Sequence, residues 1–133
     1  MLELLVVAAI IATLVAIAVP NFLSALAKAK GDKVLEDLQA IATELAEYEA
    51  VNGTLPESLA EIRSGTRRDP WGNPYQYLKI RGVHPAPRGH WRKDRFLVPI
   101  NSDYDLYSMG PDGKSAPPLT ARISRDDIIR AAD

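Results

Sequence analysis

The chain has no cysteine, two histidines and few aromatic residues, 7% of its 133 positions. Without thiols it can have no disulfide staple, no Cys nucleophile and no Cys-based zinc site. His84 and His90 lack a third ligand at useful spacing, so zinc is poorly supported between them. A net charge of -1 gives no global pull toward nucleic acid or acidic partners. No serine has a convincing His/Asp relay, no Gly-rich phosphate loop follows a strand, and the paired acids lie near a terminus, so the residues predict no enzyme. The most consequential absence is of charge: none occurs from Leu4 to Ala27. In a helix those residues cover a bilayer core of roughly 30 Å. The mean hydropathy of -0.11 therefore averages two unlike parts.

A cleaved signal peptide would need a basic n-region and an apolar stretch of about 7 to 15 residues. Here the stretch is longer, no basic residue precedes it, and Val19-Pro20-Asn21 is a poor cleavage site. The pattern instead continues past the membrane-length segment. Val34, Leu38, Ile41, Leu45 and Tyr48 recur at helical spacing, widened by Leu35 and Ala42, while Glu36, Asp37, Glu44, Glu47 and Glu49 are expected off that stripe. Asn52-Gly53 supplies the stop, since both residues tolerate the left-handed conformation that ends helices. A helix from Leu2 to Val51 would be about 75 Å long, more than one small domain can cover. Half of it must be buried in lipid or in other subunits.

Two residues within the apolar run ask for an explanation. Pro20 removes one helical hydrogen bond, at about 3 kcal/mol in an ordinary helix, and reads either as a tolerated membrane kink or as a point built to melt. Glu3 is a carboxylate at the edge of a membrane-length segment; it reaches head-group water, or it meets a positive partner such as the terminal amine of another copy.

Downstream, Thr54 to Ile62 reads as a loop into a short helix that Ser64-Gly65 ends. Asp69-Pro70 and Gly72-Asn73-Pro74 are turn chemistry, and Tyr75 to Ile80 and Tyr104 to Ser108 have short-strand character. Two or three short strands on an amphipathic helix predict an α+β fold with a small antiparallel sheet. Three segments follow: 1–27, a transmembrane or core helix; 28–52, its amphipathic continuation; and 53–133, a head with a basic loop over 79–100 and an acidic loop over 109–127. Trp71 and Tyr75, beside turns, are expected to anchor the core rather than stack on a ligand. The basic loop carries Lys79, Arg81, Arg88, Arg92, Lys93 and Arg95 against Asp94. Pro85 and Pro87 argue for an extended loop, and no nucleic-acid motif surrounds it, so it is expected to meet acidic faces of neighbouring subunits.

The run ELLVVAAIIATLVAIAVPNF resembles the N-terminal segment shared by type IV pilins and type II secretion pseudopilins, with Glu3, Pro20 and Phe22 at the matching positions. The DPWGNPYQY run, Asp69 to Tyr77, and DYDLYSMGPDG, Asp103 to Gly113, are similar to the head of the major pseudopilin of type II secretion rather than to a disulfide-closed type IV pilin. In the first of these, Asp69, Pro70, Trp71, Gly72, Asn73, Pro74 and Tyr75 form the structural motif. The resemblance implies a leader cut by a prepilin peptidase, N-methylation, a single-pass inner-membrane subunit with a periplasmic head, and assembly into a helical filament of identical copies. It implies that Glu3 pairs with a neighbour's terminal amine, that the stretch around Pro20 unwinds in the filament, and that minor pseudopilins and an inner-membrane assembly platform are partners. The implied function is a pseudopilus that drives export of folded proteins. A type IV pilin for adhesion, motility or DNA uptake, and a monomeric tethered module that uses the basic loop on a polyanion, are the alternatives. Only Met1-Leu2 precede Glu3, where the family has Phe-Thr-Leu-Ile. Lys28, Lys30 and Lys33 after the span would by themselves favour a cytoplasmic head.

Asp112-Gly113 puts a carboxylate in a tight turn and Asp126-Asp127 adds oxygens from a separate stretch, whereas a hard cation needs several oxygens at once. Solvated turn acids are the plain alternative. The resemblance implies a structural calcium held by Asp112, Asp127 and backbone carbonyls including that of Met109; Asp126 is the weaker candidate. The chain departs from the family pattern here, with a longer Lys114 to Arg125 segment and Ile129-Arg130 in place of a small residue and Trp.

Overall fold

A computed structural model describes residues 1–83 and 89–130. One helix, α1 (Leu2–Asn52), is followed by 3-10 turns at Leu59–Glu61 and Arg63–Thr66 and by strands β1 (Gln76–Lys79), β2 (Tyr104–Ser108) and β3 (Ile128–Ile129). The sheet is antiparallel in the order β1-β2-β3, with Tyr77 opposite Leu106 and Tyr107 opposite Ile129. This is the α+β class that the patterning predicts, one long N-terminal helix and a small antiparallel sheet. The chain divides into two compact units, Met1–Asp32 and Lys33–Asp133.

In the first unit α1 buries nothing. Every residue from Met1 to Ala29 is exposed, Leu4, Ile17 and Phe22 among them. Its backbone hydrogen bonds are nonetheless internal to the helix, and the Thr13 hydroxyl needs no outside partner because Oγ1 donates back to the carbonyls of Ala9 and Ile10 at 2.8 Å. The helix runs through Pro20.

In the second unit the apolar stripe of α1 becomes the core. Val34, Leu38, Ile41 and Leu45 pack with Leu55, Leu59, Tyr75, Tyr104 and Leu106, and Ile62, Trp71, Tyr77 and Ile128 close the margins. Each large aliphatic chain buried this way contributes about 1.5–3 kcal/mol. The helix stops where Asn52-Gly53 predicts: Gly53 takes φ 75° and its N–H bonds the Glu49 carbonyl at 2.8 Å. The short helix expected around Leu59 is two 3-10 turns instead, because Ile62 between them is extended, φ -114° and ψ 161°. Strand β2 is buried on both faces. Tyr104 and Leu106 join the core, and Asp105 on the opposite face is covered by the segment around Arg92.

Candidate functional site

The residues singled out by the sequence fall in three places. Glu3, Pro20 and Phe22 lie along the exposed apolar part of α1, Glu3 in its first turn. No apolar residue in that stretch is covered by the chain itself, and it is the one helix among the described residues long and apolar enough to cross a membrane. Such a surface has two stable environments, lipid tails or other apolar helices.

The second place joins the two head motifs. Asp69 nucleates its own loop: Oδ1 accepts the N–H groups of Trp71 at 3.0 Å and Asn73 at 2.8 Å, while the Asp69 N–H bonds the Asn73 carbonyl at 2.9 Å. Pro70 and Pro74 lack the N–H groups that would compete for these acceptors. Asp69 Oδ2 accepts the Ser108 hydroxyl at 2.6 Å, and Asn73 Nδ2 donates to the Gly110 carbonyl at 2.9 Å. The turn that carries Met109 and Asp112 is thus fastened to the Asp69–Tyr75 loop. Gly110 has φ 65°, and a Cβ there would stand 2.4 Å from the Asp126 carbonyl oxygen, so only glycine admits this approach.

Tyr75 leads from that loop to α1. Its hydroxyl donates to Asp37 Oδ2 at 2.9 Å, and Asp37 Oδ1 meets Arg67 Nη1 at 3.0 Å and Lys33 Nζ at 3.2 Å. Burial and the neighbouring Asp37 carboxylate raise the Tyr75 phenol well above its ordinary range. Asp37 is therefore buried, against the expectation that it lies off the stripe. The physical reason is its partners: a helix carboxylate next to Val34 and Ile41 can enter a core margin when a phenol and a guanidinium reach it. Glu44 likewise faces the head. Burial alone would raise its carboxyl, but the Ser64 hydroxyl and N–H, with Arg63 and Arg67 nearby, hold it below the usual carboxylate range.

The third place is the C-terminal loop. Asp127 Oδ2 accepts from Arg92 Nη2 at 2.7 Å and from the Ser115 hydroxyl at 2.6 Å, and the two charged side chains are 3% and 0% exposed. Arg92 also bonds Ser115 Oγ and the Ala116 carbonyl and stacks on Tyr107, 3.6 Å from its centroid. Its own N–H donates to Asp105 Oδ2 at 2.8 Å; burial nonetheless keeps the Asp105 carboxyl above its usual range, against that bond and the Asn101 amide. Asp127 Oδ1 is buried without a hydrogen-bond partner. Asp112 and Asp126 are brought together, the Asp112 N–H donating to Asp126 Oδ2 at 3.3 Å, while Asp112 Oδ1 accepts the Lys114 N–H at 2.8 Å. Among the described residues no three His, Asp or Glu side chains converge closely enough to hold a metal ion by themselves. A hard cation here would have to draw on backbone carbonyls as well as these carboxylates.

The basic loop is not a uniform solvated face. Lys79 pairs with Glu57 at 2.6 Å, Arg81 with Glu49 at 2.8 Å, and Arg92 is interior, so these three serve their own head rather than a neighbour's acidic face. Of the other expected features, His84, Pro85, Pro87 and Arg88 lie outside the described residues, and His90 is exposed.

Comparison with known proteins identifies two relatives. The chain is 31% identical to the type II secretion system core protein G of Pseudomonas aeruginosa, a match spanning 86% of this chain and 82% of that protein. It is 29% identical to the type II secretion system core protein G of Klebsiella pneumoniae, over 85% and 83% of the two. No family model and no solved structure matches it.

Proposed function

This chain belongs to the family of the type II secretion system core protein G, and from that premise we propose that it is the structural subunit of a periplasmic pseudopilus that drives export of folded proteins. The observation that carries the reading is the apolar half of α1, exposed along its whole length, while the head closes a core of its own. A subunit waits in the inner membrane as a single-pass protein with its head in the periplasm, its leader removed by a prepilin peptidase and its new terminus N-methylated. It is then withdrawn and added at the base of a filament of identical copies, with minor pseudopilins and an inner-membrane platform as partners. Its role is mechanical rather than catalytic. Withdrawal is feasible because lipid tails and neighbouring helices are equally apolar, so burial is conserved as one replaces the other. Glu3 gives the exchange a direction by pairing with a neighbour's terminal amine, and the missing hydrogen bond at Pro20 lets that stretch extend in the filament.

The head is further closed by calcium, with Asp112, Asp126, the Met109 carbonyl and the free oxygen of Asp127 as its ligands. The ion would tie the Gly110–Gly113 turn to the C-terminal strand. The reading is supported by the buried, unpartnered Oδ1 of Asp127 and by the juxtaposition of Asp112 with Asp126.

Electron microscopy of the overexpressed full chain tests the main reading: short filaments are expected, and Glu3→Ala should abolish both filaments and export. Isolated protomers from the unaltered chain, or normal export by Glu3→Ala, would overturn it. For the ion, EGTA should speed proteolysis of the head and lower its melting temperature; an unchanged head removes calcium from the account.

A further inference from the structure

We infer that the tip of the loop after β1, Arg95 to Val98, docks into a groove on the head of a second copy of this chain; the inference rests on the filament reading above. The tip is built rather than loose. Asp94 and Leu97 exchange two backbone hydrogen bonds, 3.1 and 2.8 Å, closing a tight turn in which Arg95 takes φ 47°. Its base is tied to the C-terminal loop, the Lys93 N–H bonding the Pro117 carbonyl at 3.0 Å and the Leu119 N–H bonding the Lys93 carbonyl at 2.9 Å. On this support Phe96 is 98% exposed, with Leu97 and Val98 exposed beside it. A single apolar side chain in water needs no explanation, but three in succession on a pinned turn form a knob.

The matching surface is a groove of about 330 Å³ between the end of α1 and the first 3-10 turns. Tyr48, Val51 and Ile62 give it apolar walls, and Glu44, Glu47 and Glu61 rim it against Arg63. The rim is pre-ordered: Glu61 accepts the Tyr48 hydroxyl at 2.6 Å and the N–H groups of Glu57 and Ser58, and Glu44 is held by Ser64. These bonds keep both carboxyls below their usual range, hence ionised at neutral pH. The knob brings Lys93 and Arg95 against Asp94, a surplus of positive charge for a rim with a surplus of negative charge. Phe96 would fill the groove while the two cations meet the glutamates. Knob and groove are different surfaces, so the contact is head-to-tail and leaves one of each unfilled at the ends, the arrangement that propagates as an open filament.

The absence of native cysteine makes the test clean. In assembled full-length material, Leu97→Cys combined with Val51→Cys should give a ladder of disulfide-linked oligomers beyond the dimer, and neither single variant should do so. Phe96→Ala should cut filament yield about tenfold, and Arg95→Glu should do the same unless Glu47→Arg is present in the same chain. Full-length filaments from Phe96→Ala together with no ladder would overturn the contact and leave the pseudopilus reading standing. A fluorophore on Leu97→Cys that is already shifted to the blue in the membrane, and unchanged on assembly, would assign the tip to lipid and overturn it too. Failure of the unaltered chain to form any filament overturns both.

Discussion

Arg92→Ala is the substitution that probes most of the head at once. It removes the 2.7 Å bond to Asp127, the bonds to Ser115 and the Ala116 carbonyl, and the stack on Tyr107, and it leaves a carboxylate that is 0% exposed with one hydroxyl donor, Ser115. Breaking a buried pair from one side costs about 3–5 kcal/mol, most of it the uncompensated charge rather than the lost contact. Against a total stability of about 5–15 kcal/mol this is a large fraction. With calcium chelated by EGTA, so that Asp127 has no cation to lose, the double variant Arg92→Ala/Asp127→Ala removes the orphaned charge as well and should be more stable than the single variant by roughly 1–2 kcal/mol. Urea unfolding of the full chain in detergent, read by the fluorescence of Trp71 and Trp91, measures both differences. Arg92→Lys should fall between, since an ammonium keeps the charge and loses the fork that reaches Ser115 and Ala116 together. A loss below about 1 kcal/mol for the single variant, or a double variant no better than the single, would refute the claim that this pair is held as a desolvated unit.

Three further outcomes follow from the same structure. Glu44 has a folded-state pKa below its unfolded value, so its contribution is complete above the unfolded carboxyl range, about 4.3, and is lost as pH falls through the folded value; the gap of about 1 kcal/mol between wild type and Glu44→Gln should be full at pH 7 and close on acidification, read from urea midpoints. Gly110→Ala must accept a positive φ and a Cβ 2.4 Å from the Asp126 carbonyl oxygen, and should cost about 2 kcal/mol or more in thermal melts. Tyr75→Phe withdraws the phenol from the buried Asp37 carboxylate and should cost about 1.5–3 kcal/mol, measured the same way.

What could be read from the sequence was local. The apolar half of α1, its amphipathic continuation and the Asn52-Gly53 stop rest on spacings of three and four residues and on one turn, and the two longer strands on short apolar-aromatic runs between turn residues. Strand β3 has two residues, Ile128 and Ile129, and exists through its pairing with Tyr107 and Ser108, so it carries no periodicity of its own. Asp37 and Arg92 were invisible for a related reason. Asp37 sits among exposed helix acids until Arg67 and Tyr75, 30 and 38 positions away, arrive beside it. Arg92 lies within a basic run, and its partner is 35 positions downstream. The one hint in the sequence was Trp91, an aromatic residue next to Arg92 in a loop otherwise read as meeting acidic faces of neighbouring subunits. Turn chemistry was plain at Asp69 to Tyr75, but its bond to Gly110 was not.

The buried ionic groups explain how so small a head becomes specific without disulfides. Asp37, Asp69 and Asp127 each join segments far apart in the chain, and Asp105 receives the Arg92 backbone. Buried pairs of this sort add little net stability over apolar replacements, but a wrong pairing leaves a charge unmet at several kcal/mol, so they select one register. The apolar part of α1 has the opposite design. It holds no such pair, and the Thr13 hydroxyl near its middle is satisfied within its own turn. Glu3 apart, lipid tails and neighbouring helices therefore suit its apolar surface alike, which is what a helix exchanging one for the other requires. On the proposed mechanism the two designs divide the work: the permissive helix lets the subunit move, and the fixed head keeps its knob and groove in register, so that each added copy presents the same surface to the next.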